Sequence, residues 1–217
     1  MRHLFDLRLY LVTDPVLAGP RGVVDTVKAA IEGGVTMVQL RDPVSPTRVL
    51  VEQARFLKQI LAPRGIPLIL NDRVDVALAA DADGVHVGQN DMAPADVRRL
   101  LGPDRIVGLS VGSPVEFAAS AGSLGSVDYL GTGPVRSTAT KADAGAAIGP
   151  EGLAAVVRMT DLPVVAIGGI GLGEVAGVFG AGARGIAVVS AIMAATDPGA
   201  AARDLRMEVE KGRGGQP

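Results

Sequence analysis

The chain has no cysteine and no tryptophan, and aromatic residues make up only 3% of its 217 positions. Without cysteine there are no disulfides, no thiolate metal ligands and no cysteine nucleophile. With so few aromatic rings, the core has to come from the Val, Ile, Leu and Ala that dominate the 48% hydrophobic fraction. Such aliphatic runs suit parallel strands buried on both faces. Charge of one sign is also lacking. The 21 Lys and Arg against 23 Asp and Glu give a net charge of −2, and no basic stretch stands out. That balance argues against a nucleic-acid or membrane-surface partner. No apolar run reaches the length of a bilayer span. The segment from Met1 to Pro15 carries Asp6 and Asp14 and lacks the apolar core of a signal peptide. A cytoplasmic protein acting on small molecules is the expectation, and a homo-oligomer is compatible with it.

What is present is a repeating alternation. Apolar runs near 8–13, 37–41, 68–71, 84–88, 106–110, 129–133, 163–168 and 185–190 read as strands. Between them lie segments with one apolar helical face, such as Val23, Val27 and Ile31, then Leu50, Ala54, Leu57 and Leu61. Arg64-Gly65-Ile66-Pro67 and Asp161-Leu162-Pro163 mark returns into strands. Eight strand–helix units without a linker predict one α/β domain over residues 1–217, a (β/α)₈ TIM barrel. A doubly wound open sheet is the competing architecture. The tail from Glu208 to Pro217 is expected to fray.

Polar residues end these runs with regularity. Gln39 and Arg41 follow the second, Asn71 and Asp72 the third, and Gln89 and Asp91 the fourth. Ser110 ends the fifth, Thr138, Thr140 and Lys141 follow the sixth, Gly168-Gly169 the seventh and Ser190 the eighth. In a parallel barrel these groups would meet at one mouth. Taken singly, Asp72 and Asp91 would cap helices. As a pair on neighbouring strand ends they could share a hard cation such as Mg²⁺ through oxygen ligands. His86, inside an apolar strand, reads as a core histidine rather than a ligand. The glycine pair, and Val189-Ser190 one strand later, fit an anion nest at the positions where this fold recurrently binds phosphate. Arg41 offers a bidentate fork and Lys141 a point charge for a second anion. The loop from Arg136 onward reads equally as a lid or as a plain connection.

These stretches resemble the thiamine-phosphate synthase family. The likeness is carried by Val38-Gln39-Leu40-Arg41, Leu70-Asn71-Asp72-Arg73, Gly84-Val85-His86-Val87-Gly88-Gln89-Asn90-Asp91, Gly131-Thr132-Gly133-Pro134, Thr138-Ala139-Thr140-Lys141, Ala166-Ile167-Gly168-Gly169-Ile170 and Val188-Val189-Ser190-Ala191-Ile192. The resemblance implies a TIM barrel that joins a hydroxymethylpyrimidine diphosphate to a thiazole phosphate and releases pyrophosphate. It implies that Gln39, Arg41, Asn71 and Lys141 hold the pyrimidine diphosphate and that Asp72 and Asp91 hold Mg²⁺. Ser110 would contact the pyrimidine or the pyrophosphate. Thr138, Thr140, Gly169, Val189 and Ser190 would hold the thiazole phosphate. Arg41, Lys141 and Ser110 would stand nearest the chemistry.

Two departures qualify the likeness. The family pattern often carries a lysine where this chain has Pro43, so one diphosphate contact is expected to be missing, or supplied by Arg136 or Arg73. The family also commonly shows a histidine where this chain has Gly112, which counts against the related thiazole tautomerases. The competing functions are such a tautomerase and a non-catalytic phosphate-ligand binding protein. A tautomerase would need a base near Ser110, and neither His3 nor His86 reads as well placed. No Ser–His pair is evident from spacing, so Ser110 is read as a binding group.

Overall fold

The alternating runs close into a barrel. The computed structural model describes residues 5–138 and 145–214. Its strands are β1 (Leu9–Val12), β2 (Met37–Leu40), β3 (Leu68–Asn71), β4 (Gly84–Val87), β5 (Ile106–Ser110), β6 (Tyr129–Thr132), β7 (Val164–Ile167) and β8 (Gly185–Val188). They stand side by side in chain order, all parallel, and β8 returns to β1 through Leu9 opposite Ile186 and Leu11 opposite Val188. The TIM-barrel expectation therefore holds, and the open sheet does not. The helices are α1 (Pro15–Ala18), α2 (Gly22–Glu32), α3 (Thr47–Leu61), α4 (Val74–Ala79), α5 (Pro94–Leu101), α6 (Pro114–Ala119), α7 (Gly149–Val157), α8 (Val175–Gly180), α9 (Ser190–Met193) and α10 (Pro198–Gly214). The tail from Glu208 is helical as far as Gly214.

Each strand has two buried faces, because successive side chains alternate between barrel interior and helix shell. Leu9, Leu11, Val38, Leu40, Leu68, Leu70, Val85 and Val107 point outward and pack with Val23, Val27, Leu50, Ala54, Leu57 and Leu61 of the helices. The opposite parity, led by Tyr10, Val12, Met37, Ile69, Ile106, Tyr129 and Val165, forms a separate interior cluster. Every buried Leu, Ile or Val of either set contributes about 1.5–3 kcal/mol relative to exposure.

The two ends of the barrel are finished differently. At the N-terminal end, Asp83 stands just before β4 and its carboxylate accepts the Leu68 N–H of β3 at 2.8 Å while pairing with Lys58. Asp128 repeats the device before β6, accepting the Val107 N–H of β5 at 2.8 Å and an Arg98 N–H at 2.5 Å. Arg98 also reaches the carbonyls of Gly102, Arg105 and Ser126. These ties fasten neighbouring strands and leave the opposite mouth for function.

Inside the barrel, room is made by glycine. A Cβ on Gly108 would stand 2.3 Å from Tyr129 Cζ and 2.4 Å from His86 Nδ1. One on Gly131 would stand 2.9 Å from His86 Cε1. The rings of Tyr129 and His86 thus occupy space that any larger residue would fill. Gly108→Ala should destabilise the fold by about 1–3 kcal/mol through overpacking. Urea unfolding measures this as a lowered midpoint at unchanged slope, and an unshifted midpoint would contradict it.

Candidate active site

Continuing the interior parity toward the C-terminal ends replaces aliphatic side chains with polar ones. Gln39, Asn71, His86 and Ser110 share the interior parity, and all line a cavity of about 600 Å³ at the barrel mouth. Arg41, Thr138, Gly169, Val189 and Ser190 line the same cavity. The described residues expected to bind substrate therefore share one lining, whereas Asp72 and Asp91 do not belong to it. Thr140 and Lys141 lie outside the described residues.

Among the described residues, Arg41 is the arginine of this lining. Thr13, fully buried just after β1, accepts the Arg41 N–H at 2.9 Å and donates to the Arg41 carbonyl at 3.1 Å, so it clamps the backbone that carries the guanidinium. Asp14 stands 3.7 Å from the Arg41 guanidinium, with side-chain exposures of 13% and 19% respectively. That carboxylate pairs with the guanidinium at the cavity edge. Arg73 and Arg136, expected as substitutes for the missing lysine at Pro43, are placed elsewhere. Arg73 binds Asp75 at 2.6 Å and Thr47 at 2.9 Å, and Arg136 pairs with Glu174 at 2.8 Å. Neither belongs to the cavity lining.

Asp72 directly follows β3 with φ of 61°, in the left-handed region. Asp tolerates this conformation better than most residues, and here it turns the carboxylate back on the strand tip, where Asn71 Nδ2 donates to it at 2.5 Å. Asp91 closes the loop after β4 by accepting the Gly88 N–H at 2.7 Å. Both carboxylates border the cavity through the lining residues Asn71, Gly88 and Asn90. An ionised carboxylate offers two oxygens as acceptors. Two such carboxylates fit the one or two that Mg²⁺ takes alongside phosphate oxygens. Among the described residues, no group of three or more His, Cys, Asp and Glu side chains converges as a metal site.

Across the cavity stands the glycine pair. Gly168 has φ of 95° and Gly169 φ of 64°, both in the region that favours glycine. A Cβ on Gly168 would lie 2.5 Å from Pro134 Cα, and one on Gly169 would lie 2.8 Å from Arg136 Cβ. The loop after β6 therefore rests directly on this turn. Ser190, at the start of α9, lines the cavity beside it.

One sequence reading is overturned. His86 Nε2 stands 2.9 Å from Ser110 Oγ, so a Ser–His pair does exist and His86 is well placed beside that serine. Neighbouring strands β4 and β5 set His86 opposite Gly108, one residue pair below Ser110. The residues are too far apart in the chain for spacing to reveal this. His86 Nδ1 in turn meets the Tyr129 hydroxyl at 2.9 Å. Tyr129 meets the Tyr10 hydroxyl at 3.0 Å, and Tyr10 accepts from Gln39 Nε2 at 2.7 Å. Tyr10 and Tyr129 carry no such signal in the sequence, because an aromatic residue in an aliphatic strand reads as core. Glu116, which no sequence pattern marks, lines the cavity and accepts the Gly112 N–H at 2.7 Å.

A closed parallel barrel with a polar cavity at its C-terminal mouth defines a TIM-barrel enzyme scaffold. Within that class the chain belongs to the thiamine monophosphate synthase family, whose model matches residues 9–192. It is 63% identical to the thiamine-phosphate synthase of Xanthobacter autotrophicus over 94% of this chain and 96% of the relative. It is 55% identical to that of Azorhizobium caulinodans, over 98% of this chain and all of the relative. Among solved structures, a thiamine phosphate pyrophosphorylase from Pyrococcus furiosus superposes with a TM-score of 0.85 at 40% identity, covering 95% of this chain and 96% of that one.

The two tyrosines make the interior sensitive to alkali. Burial pushes both hydroxyls above the ordinary tyrosine range, and for Tyr129 the neighbouring Tyr10 adds to the effect. Unfolded tyrosines ionise at about pH 10. Above that pH the unfolded chain binds fewer protons than the folded one, so stability present below about pH 10 is lost as pH rises. The chain has two tyrosines and no tryptophan, so ultraviolet titration reports these residues alone. Tyrosinate absorbance should appear together with alkaline unfolding; ordinary ionisation of the folded protein near pH 10 would contradict the burial argument.

Proposed function

We propose that the chain is a thiamine-phosphate synthase. It would join 4-amino-5-hydroxymethyl-2-methylpyrimidine diphosphate to 4-methyl-5-(2-phosphoethyl)thiazole and release pyrophosphate. The observation that carries this reading is one cavity with Arg41, Asn71 and Ser110 on one side and the Gly168-Gly169 turn with Ser190 on the other. Two anion-directed ends suit two phosphorylated substrates. Relatives named for this activity, matched over nearly their whole length, support it.

In this reading Gln39, Arg41, Asn71 and Lys141 hold the pyrimidine diphosphate, and Ser110 hydrogen-bonds it. Thr138, Thr140, Gly169, Val189 and Ser190 hold the thiazole phosphate. Asp72 and Asp91 would hold Mg²⁺, which when bound neutralises charge on the diphosphate. The protein's own part is electrostatic and positional. The C–O bond to the diphosphate breaks, with the electron pair leaving on oxygen, where the Arg41 guanidinium faces the developing charge. The pyrimidine-stabilised methylene cation is then captured by the thiazole nitrogen, forming the C–N bond. No protein nucleophile and no proton transfer from a side chain is required.

The Ser110–His86 contact keeps a proton-transferring isomerase as the second reading. The two separate on a simple assay. Pyrophosphate release should require both substrates and Mg²⁺, and Asp72→Ala should reduce it by about a hundredfold or more. Release from the pyrimidine diphosphate alone, or full activity of Asp72→Ala, would contradict the proposal. Arg41→Ala should slow turnover by a similar factor while leaving thiazole phosphate binding intact, as measured by calorimetry.

A further inference from the structure

We propose that Gln39 sets the direction of the buried hydrogen-bond chain Gln39–Tyr10–Tyr129–His86–Ser110, so that Ser110 presents its hydroxyl proton to the substrate. The chain joins five strands, β2, β1, β6, β4 and β5, with successive separations of 2.7, 3.0, 2.9 and 2.9 Å. Gln39, Tyr10, Tyr129 and His86 are buried, with exposures of 4%, 1%, 0% and 9%. A buried hydroxyl whose proton lacks an acceptor loses stability comparable to a broken hydrogen bond. The protons along the chain must therefore all point one way.

Gln39 Nε2 is a donor only, so the Tyr10 oxygen accepts from it. The Tyr10 proton then has the Tyr129 oxygen as its acceptor, and the Tyr129 proton has His86 Nδ1. With Nδ1 occupied as an acceptor, the imidazole is neutral and carries its one hydrogen on Nε2. That hydrogen points at Ser110 Oγ, which accepts it. The serine's own proton is left to face the cavity that Ser110 lines. Ser110 is thus a donor to an acceptor atom of the pyrimidine diphosphate, and His86 cannot take its proton. A serine nucleophile and a histidine base are excluded by the same polarity. Reversing the Gln39 amide would reverse every link, put the imidazole hydrogen on Nδ1 and leave Nε2 as a base toward Ser110. Tyr10, Tyr129 and His86 are accordingly positioning residues that act through Ser110, and Gln39 sets their direction in addition to lining the cavity. The assignment of the donor to that substrate rests on the function proposed above, whereas the direction of the chain does not.

The chain has two histidines, so the full-length protein with His3→Gln leaves one imidazole to observe. In ¹⁵N-histidine NMR at neutral pH, the His86 hydrogen should reside on Nε2. Gln39→Glu replaces the donor by an acceptor, so there the hydrogen should move to Nδ1. Hydrogen on Nδ1 in the parent, a doubly protonated ring, or an unchanged tautomer in a folded Gln39→Glu variant would each overturn the proposal. The parent spectrum decides the direction even where Gln39→Glu fails to fold. Kinetics supply the second arm. Tyr129→Phe should lower turnover roughly tenfold, yet by less than about twofold when added to Ser110→Ala. Full additivity of the two changes would overturn action through the serine. Unchanged turnover in Ser110→Ala would sink the substrate role of that residue and leave the tautomer result to stand or fall by itself.

Discussion

The contact between the His86 imidazole and the Tyr129 hydroxyl, 2.9 Å apart inside the barrel, is the arrangement on which the rest of the site depends. It demands space that only Gly108 and Gly131 leave open, because a Cβ on either would run into these rings. It also demands that every polar atom along the buried chain find a partner, since low dielectric penalises an unpaired group more than it rewards a paired one. The two requirements fix side chains on five different strands relative to one another. A barrel interior is ordinarily closed by interlocking aliphatic residues. Here the lower half follows that rule with Met37, Ile69, Ile106 and Val165, and the polar chain floors the cavity above.

Stability and function are divided between the ends of the strands. Asp83 and Asp128, each just before a strand, spend their carboxylates on backbone N–H groups of the preceding strand. At the other end the acids behave differently. Asp72 sits in the left-handed region and accepts from Asn71, while Asp91 lies in an exposed loop and accepts from Gly88. These carboxylates stand at the rim of the mouth. Those at the opposite end act as fasteners between strands.

Much of this was legible in the sequence because a parallel barrel converts chain order into position. The expected strand limits lie within two residues of the observed ones at every end. Gln39, Asn71 and Ser110 share the interior parity with Tyr10 and Met37, so a polar residue at a strand's C-terminal end has nowhere to go but the mouth. What stayed hidden depends on neighbours across strands. The Ser110–His86 pair comes from the register between β4 and β5, which no local pattern encodes. Tyr10 and Tyr129 carry hydroxyls whose role is visible only once both rings are known to point inward. The left-handed turn at Asp72 is a property of one backbone angle, with no glycine to announce it.

The buried chain also explains how one cavity can hold a serine and a histidine together without making a nucleophile. In a hydrolytic pair the imidazole accepts from serine, and a third group must hold the imidazole hydrogen on the far nitrogen. That third group is usually a carboxylate, which can only accept. Tyr129 is a hydroxyl, able to donate or accept, and its choice passes through Tyr10 to the amide of Gln39. With the amide nitrogen toward Tyr10 the far nitrogen of His86 becomes the acceptor, which is the opposite of the hydrolytic arrangement. A reaction that proceeds by loss of diphosphate to a stabilised cation has no use for a strong nucleophile beside the reactive carbon, since such a group would capture the cation itself. Keeping the Ser110 oxygen occupied as an acceptor lowers its availability for attack and leaves its proton for binding. The same five side chains would serve a base-catalysed reaction if the amide were turned over, so the chemistry is decided by proton direction as well as by residue identity.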